Sequence, residues 1–367
     1  MKDYTFLSRV DYFSTLARYA ELARRGERII VATMDFDPYE PAVMQLVAAL
    51  QAAAQHGANV TLLIDAHNFL QNRHGSGFGP LFYRNTLGHI RGPFAATINL
   101  LQALEDSGGH YRITNMPAKR FNSPSVGRSH IKAAVVGNRV FIGGCNLEKP
   151  EYIDVMVAWA SSVAARTISN WLLTFAEVGN VRRALGGVDN EVRLDETTRL
   201  LLDAGVRGQS LIYDEALNMI DSAKEWIYVT CQYFPGGPTA KHLAAAQKRG
   251  VRIQIDFSHP HTHNSAAAVH HMHQLAQRAR GLPRNFFAGR LDKHVPKLHA
   301  KVLATERGAM LGSHNYVVQG VQFGTAEIAL QSFDPIFSNA LCDFMKDQIR
   351  AAIHATRKPA VRSVIKP

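Results

Sequence analysis

The strongest constraint on this chain is that it repeats its own plan. In the first half, Glu27-Arg28-Ile29-Ile30-Val31-Ala32-Thr33 has the β-branched bias of a buried strand and runs into Met34-Asp35-Phe36. In the second half, Glu225-Trp226-Ile227-Tyr228-Val229-Thr230 runs into Cys231-Gln232-Tyr233-Phe234. Each is followed by an Ala-rich helical stretch, Glu40 to His56 and Thr239 to Arg249, that stops at a glycine suited to a helix C-terminus, Gly57 and Gly250. A second strand then follows in each, Ala58 to Asp65 and Val251 to Asp256. Strand, helix and strand written twice imply an α/β fold with helices packed on the faces of a sheet.

The halves match again at their most polar point. Ser129-His130-Ile131-Lys132 leads into Ala133 to Val136, a turn at Gly137-Asn138, and Val140-Phe141-Ile142-Gly143-Gly144-Cys145-Asn146. Leu298-His299-Ala300-Lys301 leads into Val302 to Ala304, a turn at Glu306-Arg307-Gly308, and Ala309-Met310-Leu311-Gly312-Ser313-His314-Asn315. From His to Asn is 16 residues in both.

Side chains two apart on an extended segment share a face, so each motif projects an imidazole and an ammonium together, and the next strand brings up an amide. Two such halves about a pseudo-twofold axis would place two His and two Lys around one anion. That set suits phosphodiester chemistry without a metal. One imidazole attacks phosphorus, the other moves the proton of the leaving and entering alcohols, and Lys and Asn hold the non-bridging oxygens. Each imidazole also needs a partner on its second nitrogen, and acids stand downstream of each motif at Asp154 and Glu327.

The doubled His-x-Lys followed by Gly-Gly/Ser-x-Asn resembles the phospholipase D superfamily, over nearly the whole chain. Arg-Ser-His-Ile-Lys and Ile-Gly-Gly-Cys-Asn are most similar to its cardiolipin synthase-like branch. The resemblance implies two phospholipase D-like α-β-α sandwich halves related by a pseudo-twofold axis, with one active site between them and no cofactor. It implies a phosphohistidine intermediate that partitions between water and alcohols. By position it makes His130, His299, Lys132, Lys301, Asp154 and Glu327 the catalytic set, and Asn146, Asn315, Gly144 and Ser313 the phosphate contacts. His130 is assigned as nucleophile and His299 as general acid/base, with the reverse allowed by the symmetry. The family motif has an Asp five residues after each Lys, where this chain has Gly137 and Glu306. Asn138 is expected to take over turn hydrogen bonds at the first of these.

The expected substrates are a phospholipid and an acceptor alcohol. Nucleic acid is the alternative, and a phosphate-binding module without turnover is the third reading. With 41 Lys and Arg against 30 Asp and Glu the formal charge is +11, which favours anionic partners without choosing among them. Three cysteines without metal-ligand spacing fit a reducing, cytoplasmic location. No run of about 18 apolar residues marks a membrane span, so contact with the inner face of a membrane would be peripheral. The run His259, His261, His263, His270, His271 and His273 has no acid between Phe257 and Leu291, so it reads as a solvated or phosphate-facing cluster and no metal is expected.

The expected division is 1–180 for the first half, 181–195 for a linker, 196–356 for the second half and 357–367 for a basic tail. About 24 extra residues fall between Ala66 and Arg128, with Phe69, Phe78, Phe82, Tyr83, Phe94, Arg73, Arg84 and Arg91 among them. A substrate-facing lid and an ordinary packed insertion are the two readings. Phe6, Leu7, Val10, Phe13, Leu16, Ala17 and Ala20 have helical spacing, read as a helix covering the first sheet, with Ala204 to Ala223 as its counterpart.

Overall fold

The computed structural model describes residues 3–69, 94–116, 127–148, 151–262 and 267–357. The first half builds a sheet from β1 (Thr5–Ser8), β2 (Arg28–Thr33), β3 (Asn59–Asp65), β4 (His110–Thr114), β5 (Ala133–Val136), β6 (Arg139–Gly143) and β7 (Val155–Ala160). Its helices are α1 (Arg9–Glu21), α2 (Pro41–Gln55), α3 (Ala95–Asp106) and α4 (Ser162–Val178). After a single turn, α5 (Val181–Ala184), the second sheet takes β8 (Asn190–Arg193), β9 (Thr198–Ala204), β10 (Trp226–Cys231), β11 (Arg252–Phe257), β12 (Gly289–Arg290), β13 (Val302–Thr305), β14 (Gly308–Gly312) and β15 (Ala326–Ser332). It carries α6 (Leu211–Ser222), α7 (Gly237–Lys248), α8 (Ala267–Ala279), α9 (Val318–Phe323) and α10 (Pro335–Arg357).

The strand orders are β1-β7-β6-β5-β2-β3-β4 and β8-β9-β15-β14-β13-β10-β11-β12. Apart from the added edge strand β8, they are one topology. In each half three strands run parallel (β2, β3 and β4; β10, β11 and β12), and every other pairing is antiparallel.

Strand alternation distributes side chains between an inner core shared by the halves and an outer core belonging to each. Ile30 and Ala32 face inward while Ile29 and Val31 face outward; Leu200 and Leu202 face inward while Leu201 faces outward. The inner core takes Ile168, Leu172 and Phe175 from α4 and Phe337, Leu341 and Met345 from α10. The halves also interlock at the start of the chain, where Tyr4 and Phe6 meet the Phe337 ring edge-on at 4.9 and 5.3 Å. The fold is therefore the expected α/β arrangement of two like halves.

Several boundaries differ from the sequence reading. Residues 181–195 are not an open linker, because β8 pairs with β9 at the edge of the second sheet. Phe6 and Leu7 belong to β1, and the helix begins only after Ser8, whose side chain caps it through the Asp11 amide. Of the remaining apolar positions of α1, Phe13, Leu16, Ala17 and Ala20 enter the outer core of the first sheet, whereas Val10 faces solvent. In the proposed counterpart, Ala204 ends β9 and the helix starts at Leu211 behind the Ser210 cap. Much of the insertion, including Phe78, Phe82, Tyr83, Arg73, Arg84 and Arg91, lies outside the described residues, as do His263 and residues 358–367 of the tail. Of its described part, α3 and β4 correspond to α8 and β12, and Phe69 and Phe94 pack together at 5.2 Å.

Candidate active site

The two His-x-Lys motifs are extended segments just ahead of β5 and β13, and each is hydrogen-bonded to the other half. The His130 amide donates to Ala326 O at 2.8 Å, and the Ala326 amide to Arg128 O at 2.9 Å. Reciprocally, the His299 amide donates to Ile153 O at 2.8 Å and the Ile153 amide to Lys297 O at 2.9 Å. Ala326 and Ile153 each immediately precede a candidate acid. This crossing puts His130 Nδ1 3.0 Å from Glu327 Oε2, and His299 Nδ1 2.7 Å from Asp154 Oδ2. Each imidazole is thus paired with the carboxylate of the opposite half. All four side chains are buried.

Gly144 and Ser313, expected as phosphate contacts, stand instead against these acids. A Cβ on Gly144 would lie 2.1 Å from Asp154 Oδ1, so only glycine leaves room for that carboxylate. At the equivalent position the Ser313 hydroxyl donates to Glu327 Oε2 and accepts from the Ile328 amide at 3.0 Å. The shorter acid faces glycine and the longer one faces serine.

Ile131 and Ala133 enter the inner core, so His130 and Lys132 project together on the other side; Leu298 and Ala300 do the same for His299 and Lys301. Lys132 Nζ donates to His130 O at 2.8 Å and Lys301 Nζ to His299 O, which leaves each ammonium further protons for an anion. Burial pushes Lys132 down to about 8 and Lys301 down to about 7. Burial, with the neighbouring ammoniums adding to it, holds both imidazoles well below the usual histidine value. Burial also raises the Asp154 and Glu327 carboxyls, against the pull of Lys301 on the first and His314 on the second.

The asparagines are not alike. Asn146 Nδ2 donates to Asp35 Oδ2 at 3.1 Å and Glu148 Oε1 at 3.0 Å, while Asn315 Oδ1 is buried with no hydrogen-bond partner among the described residues. Arg9, 2% exposed, donates to the backbone carbonyls of Asn146 and Glu148 at 2.9 and 2.6 Å and lies over the Tyr152 ring at 5.4 Å. Sequence reading passed over Arg9, Asp35, Glu148 and His314. The signal available was a cation opening an apolar helical pattern, and a His placed between Ser313 and Asn315.

The family's missing Asp positions lie in the β5–β6 and β13–β14 turns, at the far end of each hairpin from its His. Glu306 accepts from the amides of Lys224, Glu225 and Trp226 at 2.9 to 3.3 Å, and Gly137 turns with φ +57°. Asn138 contributes its backbone carbonyl there, to the Ser161 amide at 2.8 Å. Of the histidine cluster, His259 and His261 stack at 5.0 Å near the surface, while His270 and His273 line a cavity beside Asn315 and Glu327. Among the described residues no three His, Cys, Asp or Glu are grouped to hold a metal, and no helix is long and apolar enough to cross a membrane.

Residues 216–347 match the family model described as cardiolipin synthase, PLD-like domain. The second half of the chain thus carries a phospholipase D-like domain. Its fold is similar to that of a phosphatidylserine synthase from Haemophilus influenzae Rd KW20, at 14% identity and a TM-score of 0.72, over 95% of this chain and 86% of that one. It is also similar to polyphosphate kinase from Porphyromonas gingivalis, at 14% identity and a TM-score of 0.58, over 95% of this chain and 50% of that one. The phospholipase D family member Nuc from Salmonella typhimurium covers 49% of this chain and 95% of its own, at 17% identity and a TM-score of 0.33. No curated protein matches the chain by sequence.

Proposed function

We propose that the chain is a phosphodiesterase and transphosphatidylase acting on phospholipids, cardiolipin synthase-like in its matched domain. The observation that carries this reading is the crossed pair of buried imidazole–carboxylate contacts, His130–Glu327 and His299–Asp154, with Lys132 and Lys301 beside them. A carboxylate on Nδ1 fixes the proton there and leaves Nε2 with its lone pair, the form a nucleophile needs.

In the proposed first step His130 Nε2 forms a bond to phosphorus as the bond to the leaving alcohol oxygen breaks, and a proton on His299 Nε2 passes to that oxygen. Burial and the neighbouring ammoniums favour the neutral form of both imidazoles. The substrate's own negative charge favours protonation of the second one. In the second step water or an alcohol gives its proton to His299 while its oxygen attacks phosphorus, and the electron pair of the P–N bond returns to His130. Lys132, Lys301, Asn146 and Asn315 hold the non-bridging oxygens, Asn146 by exchanging a carboxylate partner for the phosphate. Gly144 and Ser313 serve by fixing Asp154 and Glu327.

The test is hydrolysis of labelled phosphatidylglycerol vesicles and of single-stranded DNA, each with chelator present, followed by acid-quench mapping of phosphoenzyme in His299→Ala. The expected result is chelator-resistant lipid cleavage and label on His130. Label on His299 in the reciprocal variant alone would reverse the two roles. DNA cleavage without lipid cleavage, which the charge of +11 makes the second reading, would replace the substrate. No turnover of either would leave a phosphate-binding module.

A further inference from the structure

The common topology lets the two halves be compared position by position, and on the inner face of the sheets one place differs in kind. Ala32 pairs with Ala133 and Thr230 with Val302, each the residue after a motif lysine, so Ile30 corresponds to Tyr228. On the neighbouring parallel strand, Leu63 beside Ala32 corresponds to Asp256 beside Thr230, and Thr61 to Gln254. In the first half Ile30 and Leu63 belong to the inner core, and Leu63 meets Leu172 and Phe175 of α4 around a void of only about 10 Å³. In the second half the same place holds a polar cluster in the wall of a cavity of about 650 Å³, which lies between the β11–β12 edge and α10. None of the residues assigned to phosphoryl transfer lines it.

Asp256 is 6% exposed, and its Oδ2 accepts the Tyr228 hydroxyl at 2.8 Å and the Gln254 amide at 3.0 Å. Its Oδ1 accepts no hydrogen bond among the described residues. Gly289, in the same lining, has no side chain to cover that oxygen, since a Cβ there would lie 2.3 Å from it. A carboxylate in a core position costs stability that an apolar residue such as Leu63 does not. Burial raises the Asp256 carboxyl, with Tyr228, Gln254 and Lys346 pulling the other way. The rest of the cavity wall is cationic and apolar. Lys346, Ile349, Arg350 and Ile353 recur at i, i+3, i+4 and i+7 on one face of α10, and Arg290, Leu291 and His294 come from the segment that follows η Arg284–Phe287. Lys346 Nζ lies over the Tyr228 ring at 5.3 Å, which brings its charge close to Asp256. Of the exposed acids, Asp347 takes Arg350 at 3.2 Å and Asp292 takes the His294 amide at 3.0 Å.

We propose that this cavity is a second, non-catalytic binding site, for a phosphorylated polyol of sugar size. The phosphate meets Arg290, Lys346 and Arg350, a hydroxyl donates to Asp256 Oδ1, and the C–H faces lie against Leu291 and Ile349. Lys346 already supplies a counter-charge to Asp256, so the carboxylate takes a neutral donor in preference to a further ammonium. Binding therefore needs both ends of the ligand, the anion and the hydroxyl. The site stands apart from phosphoryl transfer and does not depend on that reading.

Titration calorimetry on the full chain tests this with glucose 6-phosphate, glucose, inorganic phosphate and phosphoethanolamine. Glucose 6-phosphate is expected to bind more tightly than each of the other three by roughly tenfold or more, the worth of one hydrogen bond to a charged group. That binding should persist in the double variant Lys132→Met, Lys301→Met, which removes the anion site between the halves. It should vanish in Asp256→Leu, which restores the first-half residue. If Asp256→Leu does not fold, the double variant Arg290→Ala, Lys346→Ala removes the phosphate end instead and should weaken binding by roughly tenfold or more. Inorganic phosphate binding as tightly as the sugar phosphate would mean a basic surface and no polyol site. Tighter phosphoethanolamine would place an ammonium on Asp256 and overturn the polyol. Loss of binding with the two motif lysines, retention in a folded cavity variant, binding that appears only after removal of residues 358–367, or no binding of any of the four overturns the assignment. Each of these results leaves the phosphoryl-transfer reading standing, because diester cleavage is not what is measured.

Discussion

At the scale of single residues, the site is governed by burial acting on charge. Two ammoniums lie near two imidazoles within an apolar surround, and each loses part of its affinity for a proton because the charged form is desolvated. In the proposed mechanism the lysines act while protonated, so a lowered pKa means that the acting form is lost at a lower pH than for an ordinary lysine. The kcat/KM profile, which reports the free enzyme, should therefore fall as pH rises through about 7 and 8, the values of Lys301 and Lys132. Lys132→Arg should lower the rate but remove the Lys132 part of this alkaline limb, because a guanidinium stays charged throughout the range. A limb first appearing near pH 10 would mean that burial has not shifted these groups.

At the scale of elements, the two hairpins β5–β6 and β13–β14 deliver their residues in one register but support the acids differently. Gly144→Ala puts a methyl 2.1 Å from Asp154 Oδ1, and the carboxylate or the strand must move. Ser313→Ala removes one hydroxyl from Glu327 and leaves the space open. Gly144→Ala should cost about 1–3 kcal/mol, as overpacking does, and largely abolish turnover. Ser313→Ala should cost about 1 kcal/mol and retain measurable activity. Chemical denaturation and diester hydrolysis on both variants check this, and equal effects would contradict the assignment of the glycine to the approach of Asp154. Much of this element-level plan was legible beforehand. Strand alternation, the helix-ending Gly57 and Gly250, and the equal His-to-Asn spacing are local or periodic signals that survive folding. The crossed pairing was not legible, because Asp154 follows His130 in the chain and nothing local says that it will face His299. The same holds for Arg9, whose partners Asn146 and Glu148 are more than 130 residues away. The Phe6–Leu7 boundary was missed because an apolar strand running into an amphipathic helix imitates one longer helix, and only the Ser8 cap separates them.

At the scale of the whole molecule, the shared inner core places both lysines and both histidines where the halves meet, inside a chain of formal charge +11. The neighbouring carboxylates offset only part of the cost of burying these ammoniums, whose proton affinity stays lowered, so an oxyanion bound between the halves should stabilise the entire fold rather than one loop. Inorganic phosphate or tungstate is accordingly expected to raise the melting temperature with saturation. At 100 times the dissociation constant the linkage is about 2.7 kcal/mol, which corresponds to roughly 2–5 °C for a chain of this size. The basic surface could also attract anions, and salt separates the two sources: surface attraction is screened over about 10 Å at 0.1 M, whereas a buried site is screened much less. The shift should therefore persist in 0.3 M sodium chloride and disappear in Lys132→Met and Lys301→Met. A shift that salt removes, or that both variants retain, would place the anion on the surface and deny the interface its role as the phosphate site.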